Sequence, residues 1–113
     1  MAAIEAYKSM WKNAFVVKGR TDRTSFWWAV LINTAITIIL LILGGHSLAP
    51  VSVLYILIAF IPALTLEIRR LHDVNKSGWN ILLSFIPLVG SIVLIVFLAS
   101  DSSPGPNKYG STV

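Results

Sequence analysis

The sequence has no cysteine, so disulfides and thiolate metal sites are excluded and redox compartment cannot be read from it. It is also poor in charge. Nine Lys and Arg with five Asp and Glu make up 12% of its 113 residues, against roughly 25% in soluble domains. There is no Walker loop, GxSxG, HExxH or GxGxxG, so the strongest motif-based routes to phosphate, nucleophile, zinc or dinucleotide chemistry are missing. No internal repeat or low-complexity tract is visible. A cleavable leader is not expected, because the first apolar run starts near Phe26, behind a long charged segment. Ser47-Leu48-Ala49 mimics a cleavage site, but Pro50 follows it directly.

What is present is apolar: 56% of the chain is hydrophobic. A soluble monomer of one small domain could not cover that much apolar surface with so little charge. The chain reads as a single all-α membrane domain over residues 1–113. The net charge of +4 is unevenly placed. Lys8, Lys12, Lys18, Arg20 and Arg23 outnumber Glu5 and Asp22 before the first apolar run, and Asp101 balances Lys108 in the tail. Basic excess flanking apolar segments fits contact with a lipid bilayer and its anionic headgroups. A nucleic-acid surface would need a denser basic cluster with interleaved aromatics, so no nucleic-acid partner is expected.

Residues 4–15 place Ile4, Tyr7, Met10, Trp11, Ala14 and Phe15 at helical spacing, opposite Glu5, Lys8, Ser9, Lys12 and Asn13. This is an amphipathic interfacial helix whose apolar face meets either lipid or neighbouring helices. Gly19 allows a turn, and Asp22, Thr24 or Ser25 can cap the next helix. Hydrophobic helix 1 is expected over residues 26–44, with Trp27 and Trp28 in the aromatic belt and Gly44-Gly45 as its stop. Asn33, Thr34 and Thr37 should face other helices, since an amide turned to lipid is left unpaired. Hydrophobic helix 2 is expected over residues 50–70, kinked at Pro62. Hydrophobic helix 3, residues 79–99, is broken between Pro87 and Gly90. On spacing alone a kinked span is favoured over a re-entrant turn, which needs cover for its freed backbone groups. Residues 100–113 read as an extended tail. Charge asymmetry puts the first basic segment and residues 67–76 on the cytoplasmic side, and the His46 connector on the other.

Residues 67–79, EIRRLHDVNKSGW, hold five of the fourteen formally charged side chains between two apolar runs. If the helix continues through them, Arg69, His72, Asp73 and Lys76 form one polar stripe at i, i+3, i+4 and i+7. His72 and Asp73 offer acid–base chemistry, yet adjacent helical residues point about 100° apart and need not touch. Glu67, His72 and Asp73 lack the spacing of a metal site. No catalytic residue, metal or cofactor is assigned. Arginine forks match phosphate geometry, so Arg20, Arg23, Arg69 and Arg70 are candidates for an anionic lipid headgroup. The competing reading is that these groups pair with one another and fix the helix ends.

Four motifs recur in one order: Phe15-x3-Gly19-Arg20-x2-Arg23-x2-Phe26-Trp27; Arg69-Arg70-Leu71-His72-Asp73 with Gly78-Trp79; Ile86-Pro87-x2-Gly90; and Pro104-Gly105-x-Asn107-x-Tyr109-Gly110. Over nearly the whole chain this set resembles domain-of-unknown-function family 805, small bacterial inner-membrane proteins. The usual F-x-G-R is stretched here by extra residues between Phe15 and Gly19. The resemblance implies a multi-pass protein of the bacterial inner membrane and supplies no reaction. It also implies that Asn107 and Tyr109 dock on something. Docking on the arginines would put tail and arginines on one side, as a re-entrant third segment would. That conflicts with three full spans, so the side of the tail stays open.

The function expected is non-enzymatic: a polar cluster of Arg20, Arg23, Arg69, Arg70, His72, Asp73 and Asn107 that binds an anionic lipid headgroup or a partner. The alternative is a small transporter or channel subunit in a homo-oligomer, with Asn33, Thr34, Thr37 and Ser84 lining a path between protomers. A lipid-phosphate enzyme with His72 as base is the third reading.

Overall fold

The computed structural model describes residues 2–110 of the chain; the last three residues of the expected tail lie outside this range. Four α-helices and one 3₁₀ helix follow in order: α1 Ala2–Lys12, α2 Arg23–Leu43, α3 Ala49–Asp73, the 3₁₀ helix Gly78–Phe85, and α4 Val89–Ala99. Among the described residues there is no strand, only an isolated bridge between Asn107 and Gly110.

The long helices start and stop where local chemistry dictates. Asp22 caps α2, its carboxylate accepting from the Ser25 N–H at 3.0 Å. Gly44 closes α2, and Pro50 lies in the first turn of α3, where a missing N–H costs nothing. The helix α3 runs unbroken through Pro62 and ends in a Schellman motif. Asn75 takes φ 60°, its N–H donates to His72 O at 3.0 Å, and the Lys76 N–H donates to Leu71 O at 2.8 Å. Asparagine serves here because its short polar side chain tolerates the left-handed region.

At 1.5 Å per residue, α2 is about 31 Å long and α3 about 37 Å, each enough for a hydrocarbon core of roughly 30 Å. Only 11% of the apolar window of α2 and 28% of that of α3 is buried within the molecule. A soluble protein's core helices would be mostly covered, whereas here Leu31, Ile39, Ile42, Leu54, Leu57 and Ile58 all face outward. Lipid is the solvent that such a surface suits. The surplus length of α3 carries its charged end beyond the apolar stretch.

The helix α1 is amphipathic as expected but ends at Lys12 rather than residue 15; Ile4 and Phe15 are exposed, and the rest of the expected apolar face is covered by α2 and α3. Ala6 and Met10 join Phe26, Ala29, Leu66, Leu71, Leu94 and Leu98 in the core, while Lys8 and Lys12 stay exposed. Tyr55 of α3 donates to Asn33 Oδ1 at 2.6 Å. Its single proton is then committed, so Tyr7 of α1 donates to Tyr55 at 2.8 Å. Asn33 therefore faces other helices as expected. Thr37 bonds back to Asn33 O at 2.9 Å, and Thr34 is exposed.

The third apolar segment breaks at Pro87–Gly90 as read from sequence, but the favoured kinked span gives way to a re-entrant hairpin. The first limb is the 3₁₀ helix. The second, α4, is about 16 Å long, half a bilayer core. Between them Leu88 has φ 61° and ψ −66°, and the Val89 N–H donates to Pro87 O at 2.7 Å. This is the rare γ-turn of positive φ. Gly90 lets the limbs close, since a Cβ there would lie 1.9 Å from Leu83 O and 2.6 Å from Ile86 Cβ. Both ends of the hairpin meet the end of α3. Gly78 packs on Ile68, Lys76 Nζ lies 5.0 Å from the Phe97 ring centre, and Arg70 bonds Leu98 O at 2.9 Å.

A candidate site around the end of α3

The polar groups converge where α3 ends, α2 begins, α4 ends and the tail returns. Asp73 is the hub, with Oδ1 accepting from Arg20 Nε at 2.9 Å and Oδ2 from Arg70 Nη1 at 2.5 Å. The Ser102 hydroxyl also donates to Oδ2. The side chains of Arg20, Arg70 and Asp73 are all at least 99% buried. Two buried cations thus share one carboxylate, and backbone carbonyls supply the other acceptors. Arg20 donates to Gly105 O and Ser103 O, each at 2.8 Å, to Asp73 O at 3.3 Å and to Gly110 O at 3.4 Å. Arg70 donates to Leu98 O, to Thr21 O at 3.3 Å and to Ser100 O. Guanidinium groups against carbonyls at the ends of α3 and α4 complement those helix termini in charge and hydrogen bonding.

His72 and Asn107 belong to the same assembly. The His72 Nδ1–H donates to Gly19 O at 3.0 Å, since a carbonyl can only accept. Gly19 presents that carbonyl from φ +94°, a conformation glycine adopts without penalty. The Tyr109 ring stacks on His72 with centres 4.0 Å apart and planes within 4°. Asn107 Nδ2 donates to His72 O at 3.0 Å. The tail therefore docks on the arginine cluster; the family resemblance implied docking without fixing the surface. His72 and Asp73 are each committed to other partners, so they do not form an acid–base pair. Arg23 stands apart, pairing with Asp101 at 2.7 Å while their side chains are 51% and 88% exposed.

Arg69 differs from its neighbours. It is 6% exposed and has no carboxylate partner among the described residues. Its Nη1 donates to Asn13 O and Val16 O, each at 2.7 Å, and its Nε to Thr21 Oγ1 at 3.3 Å. Among the described residues Nη2 donates to no protein acceptor, yet no buried polar atom is left unsatisfied, so Nη2 reaches open space. Arg69 also lines a cleft of about 490 Å³ between α1, the loop of residues 13–22 and α3, together with Glu5, Ser9, Lys18, Asp22 and Ser25.

The sequence reading offered Arg20, Arg23, Arg69, Arg70, His72, Asp73 and Asn107 as ligand groups; all but Arg23 lie around the end of α3, where Arg20, Arg70 and Asp73 pair with one another and His72 and Asn107 bond backbone carbonyls, as the competing reading had it. It missed Glu5, Ser9 and Lys18 as neighbours of Arg69, although they share the polar face it assigned to α1 or the turn that follows. It also missed the carbonyls of Gly19, Ser103 and Gly105, which no side-chain pattern reports.

Residues 14–111 match the family described as Protein of unknown function (DUF805). The chain belongs to this family. Inner membrane protein YhaI of Escherichia coli K12 is 43% identical over 108 residues, covering 93% of this chain and 92% of the relative. Inner membrane protein YhaH of the same strain is 32% identical over 113 residues, covering 92% of each. No solved structure matches the chain. As a DUF805 member with two bilayer-length apolar helices, the protein is an integral inner-membrane protein. Its matched region includes the hub at Asp73 and the docking residues Asn107 and Tyr109.

Proposed function

We propose that this protein is a non-enzymatic membrane binding protein whose cleft at Arg69 takes the phosphate of a lipid headgroup. The observation that carries this reading is the buried guanidinium of Arg69, which has no carboxylate partner among the described residues and lines a cleft. A buried charge is costly unless paired, and an oxyanion is the partner that guanidinium chemistry suits. Thr21 holds Arg69 beside the Arg20–Asp73–Arg70 cluster: its N–H donates to Arg69 O, its hydroxyl accepts from Arg69 Nε, and its carbonyl accepts from Arg70 Nη1. The basic flank supports a cytoplasmic side for the cleft.

Native mass spectrometry of protein released gently from its own membrane tests this. Wild-type protein is expected to carry a co-purified phospholipid. Arg69→Gln keeps a donor for the Asn13 and Val16 carbonyls, removes the charge, and should lose the lipid while the protein still melts cooperatively. Arg23→Ala, outside the cleft, should retain it. A bare wild-type protein with its cluster intact would sink the reading. The mass also reports oligomer size and so tests the channel alternative. That alternative has less support, because Asn33 and Thr37 bond within the chain and the Ser84 hydroxyl donates to Ile81 O at 2.8 Å.

A further inference from the structure

We infer that the headgroup recognised is phosphoethanolamine, with Glu5 as the acceptor for its ammonium. This rests on the reading of Arg69 as the phosphate ligand and adds the second half of the ligand. The charges around the cleft are mixed. Arg20 is spent on Asp73, which leaves Arg69 and Lys18 facing Glu5 and Asp22 across one cavity. A purely anionic ligand would meet two carboxylates there, and like charges repel. A zwitterion carrying one phosphodiester and one amine satisfies both signs.

The two carboxylates are not equivalent. Asp22 is engaged as the cap of α2. Glu5 has neither an ion pair nor a side-chain hydrogen bond among the described residues. Its place in the first turn of α1 complements the helix dipole. That explains an acidic residue in this turn but not one facing the same cleft as an uncompensated arginine. A primary ammonium offers three N–H donors to a carboxylate, as lysine does. A trimethylated ammonium offers none. At about 490 Å³ the cleft is within the range of small-molecule sites, roughly 300–1,000 Å³.

The test is native mass spectrometry of the full chain in nanodiscs with equal parts phosphatidylethanolamine, phosphatidylcholine and phosphatidylglycerol. Wild-type protein is expected to retain phosphatidylethanolamine several-fold over both others. Glu5→Gln should abolish that preference yet keep phospholipid adducts, whereas Arg69→Gln should lower all three together. Wild-type retention of phosphatidylglycerol or phosphatidylcholine equal to phosphatidylethanolamine would overturn the inference and leave the phosphate site standing, as would an unchanged preference in Glu5→Gln. Absence of any adduct would overturn both. Soluble glycerophosphoethanolamine, added at the lipid's concentration, should not displace it; displacement would overturn the assignment to lipid.

Discussion

Adjacent arginines at positions 69 and 70 have opposite fates, and the helix explains why. They point about 100° apart, so Arg69 meets the loop after α1 while Arg70 meets the end of α4. Asp73 lies three residues beyond Arg70, a pairing distance on a helix, whereas the stripe expected from spacing put Asp73 with Arg69, His72 and Lys76; α3 ends at Asp73, before Lys76, and Arg69 bonds elsewhere. That Arg20, 53 residues away, would share the same carboxylate was not legible in the sequence, because only the return of the chain brings them together. Asp73→Ala would leave two buried guanidinium groups without a counter-charge. Loss of one partner from a buried pair typically costs about 3–5 kcal/mol. Thermal unfolding in detergent should show a large drop in midpoint for Asp73→Ala, and an unchanged midpoint would contradict the hub. Arg23→Ala is the contrast. Its bridge to Asp101 is open to solvent, so the loss should not exceed about 1 kcal/mol.

Among the elements, α2 and α3 were readable because apolar length, caps and the Gly44-Gly45 stop agree with one another. The break at Pro87–Gly90 was equally visible. The direction taken after it was not, since a kinked span and a hairpin begin with the same proline and glycine. What decides is contact: Gly90 against the Leu83 carbonyl, and the end of α4 held by Arg70. Gly90→Val would force the limbs apart, because the atoms it meets are backbone and a Cβ near the chain. Overpacking of this kind costs typically 1–3 kcal/mol. The expected result is a lowered midpoint, with faster amide exchange over residues 89–99. Leu88→Gly tests the turn in the other direction. Leu88 is 74% exposed and held at positive φ, so glycine should leave stability unchanged or raise it by up to about 1 kcal/mol. A loss as large as that of Gly90→Val would mean that the turn is not formed as described.

At the scale of the whole molecule, the number of crossings follows from a half-length helix. Two spans plus a re-entrant hairpin return the chain to the side where it started, so the tail can reach Arg20 and His72. Three spans would put a bilayer between Asn107 and His72, which are instead joined by a 3.0 Å hydrogen bond. Hydropathy alone counts segments and cannot see this closure; the docked tail carries the information. The absence of native cysteine makes the arrangement directly testable, because any introduced thiol is unique. Lys18→Cys and Lys108→Cys, both at exposed positions, should react with a membrane-impermeant maleimide only from the cytoplasmic side, as the basic flank dictates. His46→Cys, in the connector between α2 and α3, should react only from the opposite side. Phe85→Cys, near the hairpin tip, should react from neither face, because half-length limbs end within the hydrocarbon core. If Lys108→Cys labels together with His46→Cys, the third segment crosses the bilayer and the tail cannot be the piece that closes the arginine cluster.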